Sequence, residues 1–262
     1  MSSSEAQGDL WGARAQDWAE IQEAGALPLY ESVADGLGVD AETRLLDVGC
    51  GAGRFCLNAA EAGTAVAGID ASAALIAIAR ERVPDGDFRV GDMEQLPFDD
   101  DAFDLVTALN SLQFAGDPVG ALREAARVVH PEGRIAAAVW GRPEDCEGSV
   151  VRDALAPFLP EPAAGLPAPF ALSEEGALAG LVERAGLRAG KVHEVPCPWV
   201  YPDLGTAIRG LASAGPAALA ERAIGREAVE QAIAEVLQPF QDPLTGIYRL
   251  ENVFQYLVAT PA

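Results

Sequence analysis

Apolar and polar positions alternate in two rhythms along the first 140 residues, and the rhythms take turns. Short apolar runs rich in β-branched residues fall at Leu45–Val48, Thr64–Ile69, Asp87–Val90, Phe103–Ala108 and Arg134–Val139. Between them, apolar residues recur at helical spacing, as in Leu75, Ile76, Ala79 and Val83, or Leu122, Ala125 and Val129. The punctuation agrees: Gly63 closes one helix, Pro84 and Gly86 stop the next, and Asp117-Pro118 supplies an N-cap followed by proline at the first helical position. Strands that alternate with helices predict a parallel sheet covered on both faces. The fifth run carries almost no polar side chain and reads as a strand buried on both sides.

After Trp140 the texture changes. Prolines at 143, 157, 160, 162, 167 and 169 break the chain before a helix expected near Ser173–Ala185. A sixth strand is expected at Lys191–Val200 and a seventh at Tyr248–Ala259. The Ala-rich stretch Pro202–Phe240 between them predicts helices broken at Gly215-Pro216 and Gly225, an insertion suited to a lid over the carboxyl edge of the sheet. The expected organisation is an N-terminal helical cap over 1–40, a core over 41–200 and 246–262, and a helical lid over 201–245.

Composition narrows the partners. With 40 acidic against 18 basic residues, the net charge of −22 repels nucleic-acid backbones and anionic membranes, so a small-molecule partner is expected. No apolar run reaches the roughly 20 residues of a membrane span, and the first residues resemble no secretion signal, so a cytoplasmic protein, monomeric or homodimeric, is expected. Cys50, Cys56, Cys146 and Cys197 form no C-x-x-C pair, and His130 and His193 lie far apart, so neither a metal site nor a disulfide framework is expected.

The chemistry gathers in LLDVGCGAG, Leu45–Gly53. A glycine turn after the first strand of such a sheet is the usual floor of a nucleotide site. Gly49, Gly51 and Gly53 occupy it, yet the G-x-G-x-x-G spacing of a dinucleotide site fails because its third position is Arg54. Asp47 also stands beside the turn, where a pyrophosphate would meet a like charge. Asp70 lies 19 residues beyond Gly51, at the end of the second strand, where a carboxylate accepts both hydroxyls of an adenosine ribose. Asp92, after the third strand, suits the adenine amine, with Met93 covering the ring. A cationic nucleoside without phosphate meets these requirements, and S-adenosylmethionine is such a molecule.

LLDVGCGAG, GIDAS, GDMEQLPFDDDAFDLV and LREAARVVHPEGRI together resemble the successive motifs of the class I S-adenosylmethionine-dependent methyltransferases, in the subgroup of ubiquinone and menaquinone biosynthesis. The resemblance spans roughly residues 40 to 140. It implies a Rossmann-like, seven-stranded, mostly parallel α/β sheet with its last strand antiparallel. It implies contacts to the methionine end of the cofactor from Asp47, Gly49, Cys50 and Gly51, to the ribose from Asp70, and to the adenine from Ala71, Asp92 and Met93. Asn110 would face the methionine portion, and Gln113 or Phe114 would border the acceptor. His130 and Glu132 depart from the Lys and Gly usual at this point, and His130, at a helix end, reads as structural.

Outside that stretch the assignments rest on placement alone. Trp11, Arg14 and Trp18 share one face if WGARAQDWAEIQE is a single helix; Arg14 would then pair with the cofactor carboxylate and Trp18 would shield the sulfonium, or the aromatics would merely dock the helix. Trp199 and Tyr201, with Phe158, Phe170 and Phe240, are candidates for an apolar acceptor pocket, core packing being the other reading. The catalytic residue stays unknown, His193 being the candidate base and Tyr201 and Tyr248 weaker ones. Methyl transfer to a small molecule is the expected function. A non-methylating cyclisation or decarboxylation on the same fold, a nicotinamide-dependent oxidation and a cofactor-sensing module remain as alternatives.

Overall fold

The computed structural model describes residues 3–159 and 170–262; the prolines at 160, 162, 167 and 169 lie outside them. The chain opens with helix α1 (Ser3–Gly12) and the single turn α2 (Ala15–Asp17), then runs through a π-turn at Trp18–Gln22 and a 3₁₀ turn at Glu23–Ala26 into α3 (Leu27–Leu37). The expected continuous helix from Trp11 onward is therefore replaced by an arm that changes its winding three times. Trp11 and Trp18 stay in contact, ring to ring at 4.8 Å, while the Arg14 guanidinium pairs with Glu221 and Glu230.

The core follows as β1 (Arg44–Val48), α4 (Arg54–Glu61), β2 (Ala65–Asp70), α5 (Ala73–Arg82), β3 (Asp87–Val90), β4 (Phe103–Leu109), α6 (Pro118–Val128) and β5 (Val129–Trp140). Capping agrees with the sequence: the Asp117 carboxylate accepts from Gly120 N at 2.9 Å, and Ser72 Oγ accepts from Leu75 N at 3.3 Å. The remainder comprises α7 (Ser149–Leu155), α8 (Ala177–Arg184), β6 (Leu187–Pro196), β7 (Trp199–Tyr201), α9 (Leu204–Leu211), α10 (Gly215–Ile224), α11 (Arg226–Leu237), β8 (Tyr248–Leu250) and β9 (Val253–Pro261).

Seven strands form the main sheet in the order β3-β2-β1-β4-β5-β9-β6. Pairing is parallel from β3 to β5, while β9 lies antiparallel between β5 and β6. Both faces are covered: Leu45 packs in a core with Leu29 of α3 and Phe55 of α4, and the next residue, Leu46, in one with Leu122 of α6 and Leu181 of α8. The chain leaves β1 toward β2 and β3 on one side and later returns to β4 on the other. The strand order thus reverses at β1 and β4, and a crevice opens there at the carboxyl edge.

Two expected strands are each split in the structure. Cys197-Pro198 interrupts the sixth, because proline offers no ladder donor and Cys197 N instead donates to Asn252 O at 2.7 Å. Asn252 interrupts the seventh: its side chain accepts from Gly148 N and donates to Leu250 O. The pieces β7 and β8 pair as a separate two-stranded ribbon. The inserted helices α9 to α11 break where Gly215 and Gly225 stand and fold back, α10 against α1 and α11 against α7.

Candidate functional site

The turn after β1 is held from below. Gly49 N and Cys50 N both donate to Ile69 O, at 2.8 and 3.0 Å, tying the turn to the end of β2. Gly49 has φ +78°, and a Cβ there would stand 2.3 Å from Ser111 Cβ, so only glycine lets β4 close against the turn. Ser111 Oγ donates to Val48 O at 2.7 Å and locks that approach. Gly51 has φ +55°, and a Cβ on it would point at Glu23 Oε1, 3.2 Å away, and Trp18 Nε1, 3.4 Å away. The arm therefore covers the turn.

Asp70 is held ready at the end of β2. One carboxylate oxygen accepts from Gly51 N at 2.9 Å and the other from Ser72 N at 2.8 Å, which leaves lone pairs on both for further donors. Burial pushes its carboxyl above the ordinary range, against those two hydrogen bonds. Asp47, next to last in β1, is 3% exposed and accepts from Thr107 Oγ1 of the neighbouring strand at 2.7 Å. Asp92 accepts from Glu94 N at 2.9 Å, closing a local turn, while Met93 Cε reaches to 3.7 Å of a Cβ built on Gly49.

Sequence reasoning missed Glu23. This residue is 3% exposed, and Oε1 accepts from Ala52 N at 3.1 Å, so it caps the turn from the arm side. Arg82 bonds its other oxygen and also donates to Ala52 O and Ala19 O, which joins α5, the turn and the arm at one guanidinium. Glu23 has no sequence signature, because a glutamate among polar and alanine residues reads as a solvated helix face. Thr107 was legible as the lone polar residue in an otherwise apolar stretch of strand, and Ser111 as the polar residue at the end of that strand.

Burial pushes the Asp47 carboxyl up to about 7; the Thr107 hydrogen bond opposes the shift, and the charges of Glu23 and Asp70 add to it. Asp47 is thus largely protonated below that pH while its unfolded counterpart, near 3.8, is ionised, so its contribution to stability falls as pH rises from about 4 to about 7. A cation bound nearby favours the ionised form. The affinity for a sulfonium ligand is then expected to rise about ten-fold from pH 6 to pH 8 and to level off above. Calorimetry in two buffers of different ionisation enthalpy will register the released proton, and Asp47→Asn is expected to abolish both effects.

Four polar atoms near this crevice are buried without a partner: Trp18 Nε1, Asn110 Oδ1, and Gln113 Nε2 and Oε1. Asn110, at the end of β4, also holds φ +55°, a backbone conformation that costs energy in a non-glycine residue. Arg54 Nε, at the start of α4, is likewise unpartnered. Dry donors and acceptors of this kind cost about 1–3 kcal/mol each, which a polar ligand in the crevice would offset. With the carboxylates of Glu23, Asp47 and Asp70 beside them, they fit a cationic nucleoside.

The remaining candidates go elsewhere. Arg14 was expected on a ligand carboxylate; its guanidinium instead pairs with Glu221 of α10 and Glu230 of α11, because the winding of the arm changes beside it. Cys50 turns its Sγ toward Gly68 of β2, and burial raises its thiol, so the backbone of Cys50 is what the turn offers. Ala71 lies under α1, where its carbonyl oxygen comes so close to Gly8 that a Cβ there would clash at 2.2 Å. Trp199 is wedged between Gly25 and Gly148, and Tyr201 donates its hydroxyl to Gln22 Oε1 at 2.7 Å; both line a hollow between the arm and β7 that no residue of the glycine turn borders. Phe158 is 39% exposed, and Phe170 packs on Trp140.

His193 stacks on Tyr256 at 5.2 Å, exposed on the edge strand β6. Three strand spacings, or about 14 Å, separate it from β4. A hollow of about 440 Å³ beside Arg142, Phe170 and Ser173, and one of about 180 Å³ between the arm and β7, are not lined by any residue of the glycine turn. Among the described residues no group of three His, Cys, Asp or Glu is placed to hold a metal ion, and no helix is long and apolar enough to cross a membrane.

With this geometry in view, residues 46–137 match the methyltransferase domain family. Over these residues the chain carries a methyltransferase domain of the S-adenosylmethionine-dependent type. Over 111 residues it is 37% identical to the demethylmenaquinone methyltransferase of Renibacterium salmoninarum, covering 42% of this chain and 47% of that one. Over 139 residues it is 34% identical to the 27-O-demethylrifamycin SV methyltransferase of Amycolatopsis mediterranei, covering 48% and 51%. The matches thus span about half the length of these curated relatives. The fold is shared with the YcgJ protein of Bacillus subtilis, at a TM-score of 0.61 and 19% identity over 89% of this chain and 98% of that one. The matched span contains the turn, Asp70, Asp92 and Asn110, whereas the arm and the inserted helices α9 to α11 lie outside it.

Proposed function

We propose that the protein transfers the methyl group of S-adenosylmethionine to a small-molecule acceptor, as a cytoplasmic enzyme of secondary or cofactor metabolism. The observation that carries this reading is the meeting of three buried or half-buried carboxylates, Glu23, Asp47 and Asp70, with unpartnered polar atoms around one glycine turn. A pyrophosphate would enter this acidic crevice against its charge, and a sulfonium would enter with it. When bound, the cofactor supplies an electrophilic methyl carbon, leaves as the neutral thioether S-adenosylhomocysteine, and the acceptor gives up one proton for the methyl it gains.

The chain's own contribution is positional. Asp70 would hold the ribose, the backbone of Gly49–Gly51 and the side chain of Asn110 the methionine end, and Asp92 with Met93 the adenine. The arm, closed by Trp18 and Glu23, excludes water from the reacting atoms, and alignment in a dry crevice is a large part of what such a displacement needs. No step here requires a dedicated base, and His193 lies on the far edge of the sheet.

Calorimetry with S-adenosylmethionine against NAD tests the cofactor: binding of the first and not of the second is expected, and the reverse would overturn the reading. Incubation with a metabolite extract tests the reaction, which adds one CH₂ to a product and releases S-adenosylhomocysteine. A product of unchanged mass would transfer the site to a cyclisation or a similar non-methylating reaction.

A further inference from the structure

The hollow of about 180 Å³ between the arm and β7 has a wall without charge: none of the residues that line it, on either side, is acidic or basic. Glycines at both ends orient the indole of Trp199. A Cβ on Gly25 would stand 2.5 Å from Cδ1 and 2.7 Å from Nε1, and a Cβ on Gly148 would stand 2.8 Å from Cζ3. Gly25 borders the hollow and Gly148 does not, so the N–H edge of the ring is turned toward it. Tyr201, two residues on, donates its hydroxyl to Gln22 Oε1 at 2.7 Å, which sets the Gln22 amide against the same wall. Trp199 Nε1 and Gln22 Nε2 themselves donate to no described residue, although the two residues are only 9% and 6% exposed.

Covering an N–H without giving it an acceptor is costly, so an occupant must bring one. A cavity of about 150 Å³ accepts benzene, and this hollow therefore takes a single ring with a small substituent. Trp199, Tyr201, Ile21 and Pro198 give that ring an aromatic and apolar wall. An ion of either sign would shed its hydration against no counter-charge. We infer that the hollow is a binding site, separate from the glycine turn, for a small uncharged ring molecule that carries a hydrogen-bond acceptor, and that its occupant holds the arm in place. Gln22, Ala24 and Gly25 line the hollow, while Glu23 between them accepts from Ala52 N and pairs with Arg82. A ligand that binds only while the arm is seated keeps Glu23 on the turn.

Three single-ring probes separate these features. Acetophenone is uncharged and carries a carbonyl acceptor, ethylbenzene lacks the acceptor, and benzoate carries a charge. NMR titration of the full chain is expected to show acetophenone binding at least ten-fold more tightly than either of the others, and moving the indole N–H signal that disappears in Trp199→Phe. That variant keeps a ring and loses the donor, so its preference for acetophenone over ethylbenzene is expected to fall to about three-fold. Ala24→Phe fills the hollow from an exposed position, is expected to abolish binding of acetophenone, and serves if the tryptophan variant does not fold. At ten times its Kd, acetophenone is expected to slow hydrogen exchange at Ala52 N–H about ten-fold in the unmodified chain and not in Ala24→Phe.

Equal or tighter binding of ethylbenzene or benzoate would overturn the inference, as would a shift confined to the indole of Trp11, Trp18 or Trp140. So would binding that survives Ala24→Phe, or no probe binding at all, in which case the hollow takes up water only. Binding with unchanged exchange at Ala52 would overturn the hold on the arm. None of these readouts involves S-adenosylmethionine, so the site stands or falls separately from the function proposed above.

Discussion

Asp70→Ala is expected to weaken S-adenosylmethionine binding by about 10- to 100-fold or more, as measured by calorimetry on the folded variant. A hydrogen bond to a charged acceptor contributes about 1.5–3 kcal/mol, and in the proposed site the carboxylate of Asp70 would accept from the ribose. The same carboxylate already accepts from Gly51 N and Ser72 N, so its removal also frees the glycine turn from β2. Asp70→Asn is expected to fare little better, since both oxygens receive backbone N–H groups and an amide nitrogen would face one of them. Unchanged affinity in either variant, with the melting curve intact, would remove Asp70 from the ribose site.

Arg82→Ala is expected to lower the melting temperature by about 10 °C. Glu23 is 3% exposed, and burial already pushes its carboxyl upward against the opposing charge of Arg82. Removing one partner of a buried pair costs about 3–5 kcal/mol because the other charge is left in a dry site. For a chain of this size each kcal/mol corresponds to about 2–4 °C. The loss also frees Ala19 O and Ala52 O, so the arm is expected to detach from the turn and cofactor affinity to fall in parallel. In a double-mutant cycle, adding Glu23→Gln is expected to recover part of the loss, because the orphaned charge is gone. A melting curve within 2 °C of the unmodified protein's would show that the pair does not hold the arm.

These two residues mark how far the chain could be read before it was folded. Asp70 was legible: it ends a β-branched run at a fixed distance from a glycine turn, and both features are local. Glu23 and Arg82 were not, since each lies on a stretch whose own pattern describes a surface helix, and only the packing of the arm on α5 brings them together. Arg14 illustrates the opposite error. Its spacing from Trp11 and Trp18 implies a shared face only if the winding is uniform, and the winding changes between them.

The aromatic candidates divide in the same way. Trp18 reaches the glycine turn at Gly51 and Phe114 meets Trp11, whereas Trp199 and Tyr201 pack against the arm, Trp199 beside Gly25 and Tyr201 on Gln22, and border a separate hollow there. Nothing in the local sequence distinguishes an aromatic that lines a cavity from one that fills it, since both positions require apolar surface.

By itself the sequence determined the alternation of strands and helices over the first 140 residues, the caps, the position of the helical insertion and the glycine turn with its carboxylate at the end of β2. Each of these depends on periodicity or on residues within a few turns of one another. Tertiary structure alone decided that β9 slides between β5 and β6, that Arg14 pairs with the inserted helices α10 and α11, and that Glu23 closes the turn. Partner choice between segments far apart in the chain depends on which faces the whole fold brings into contact, and a residue's own neighbours carry no record of that.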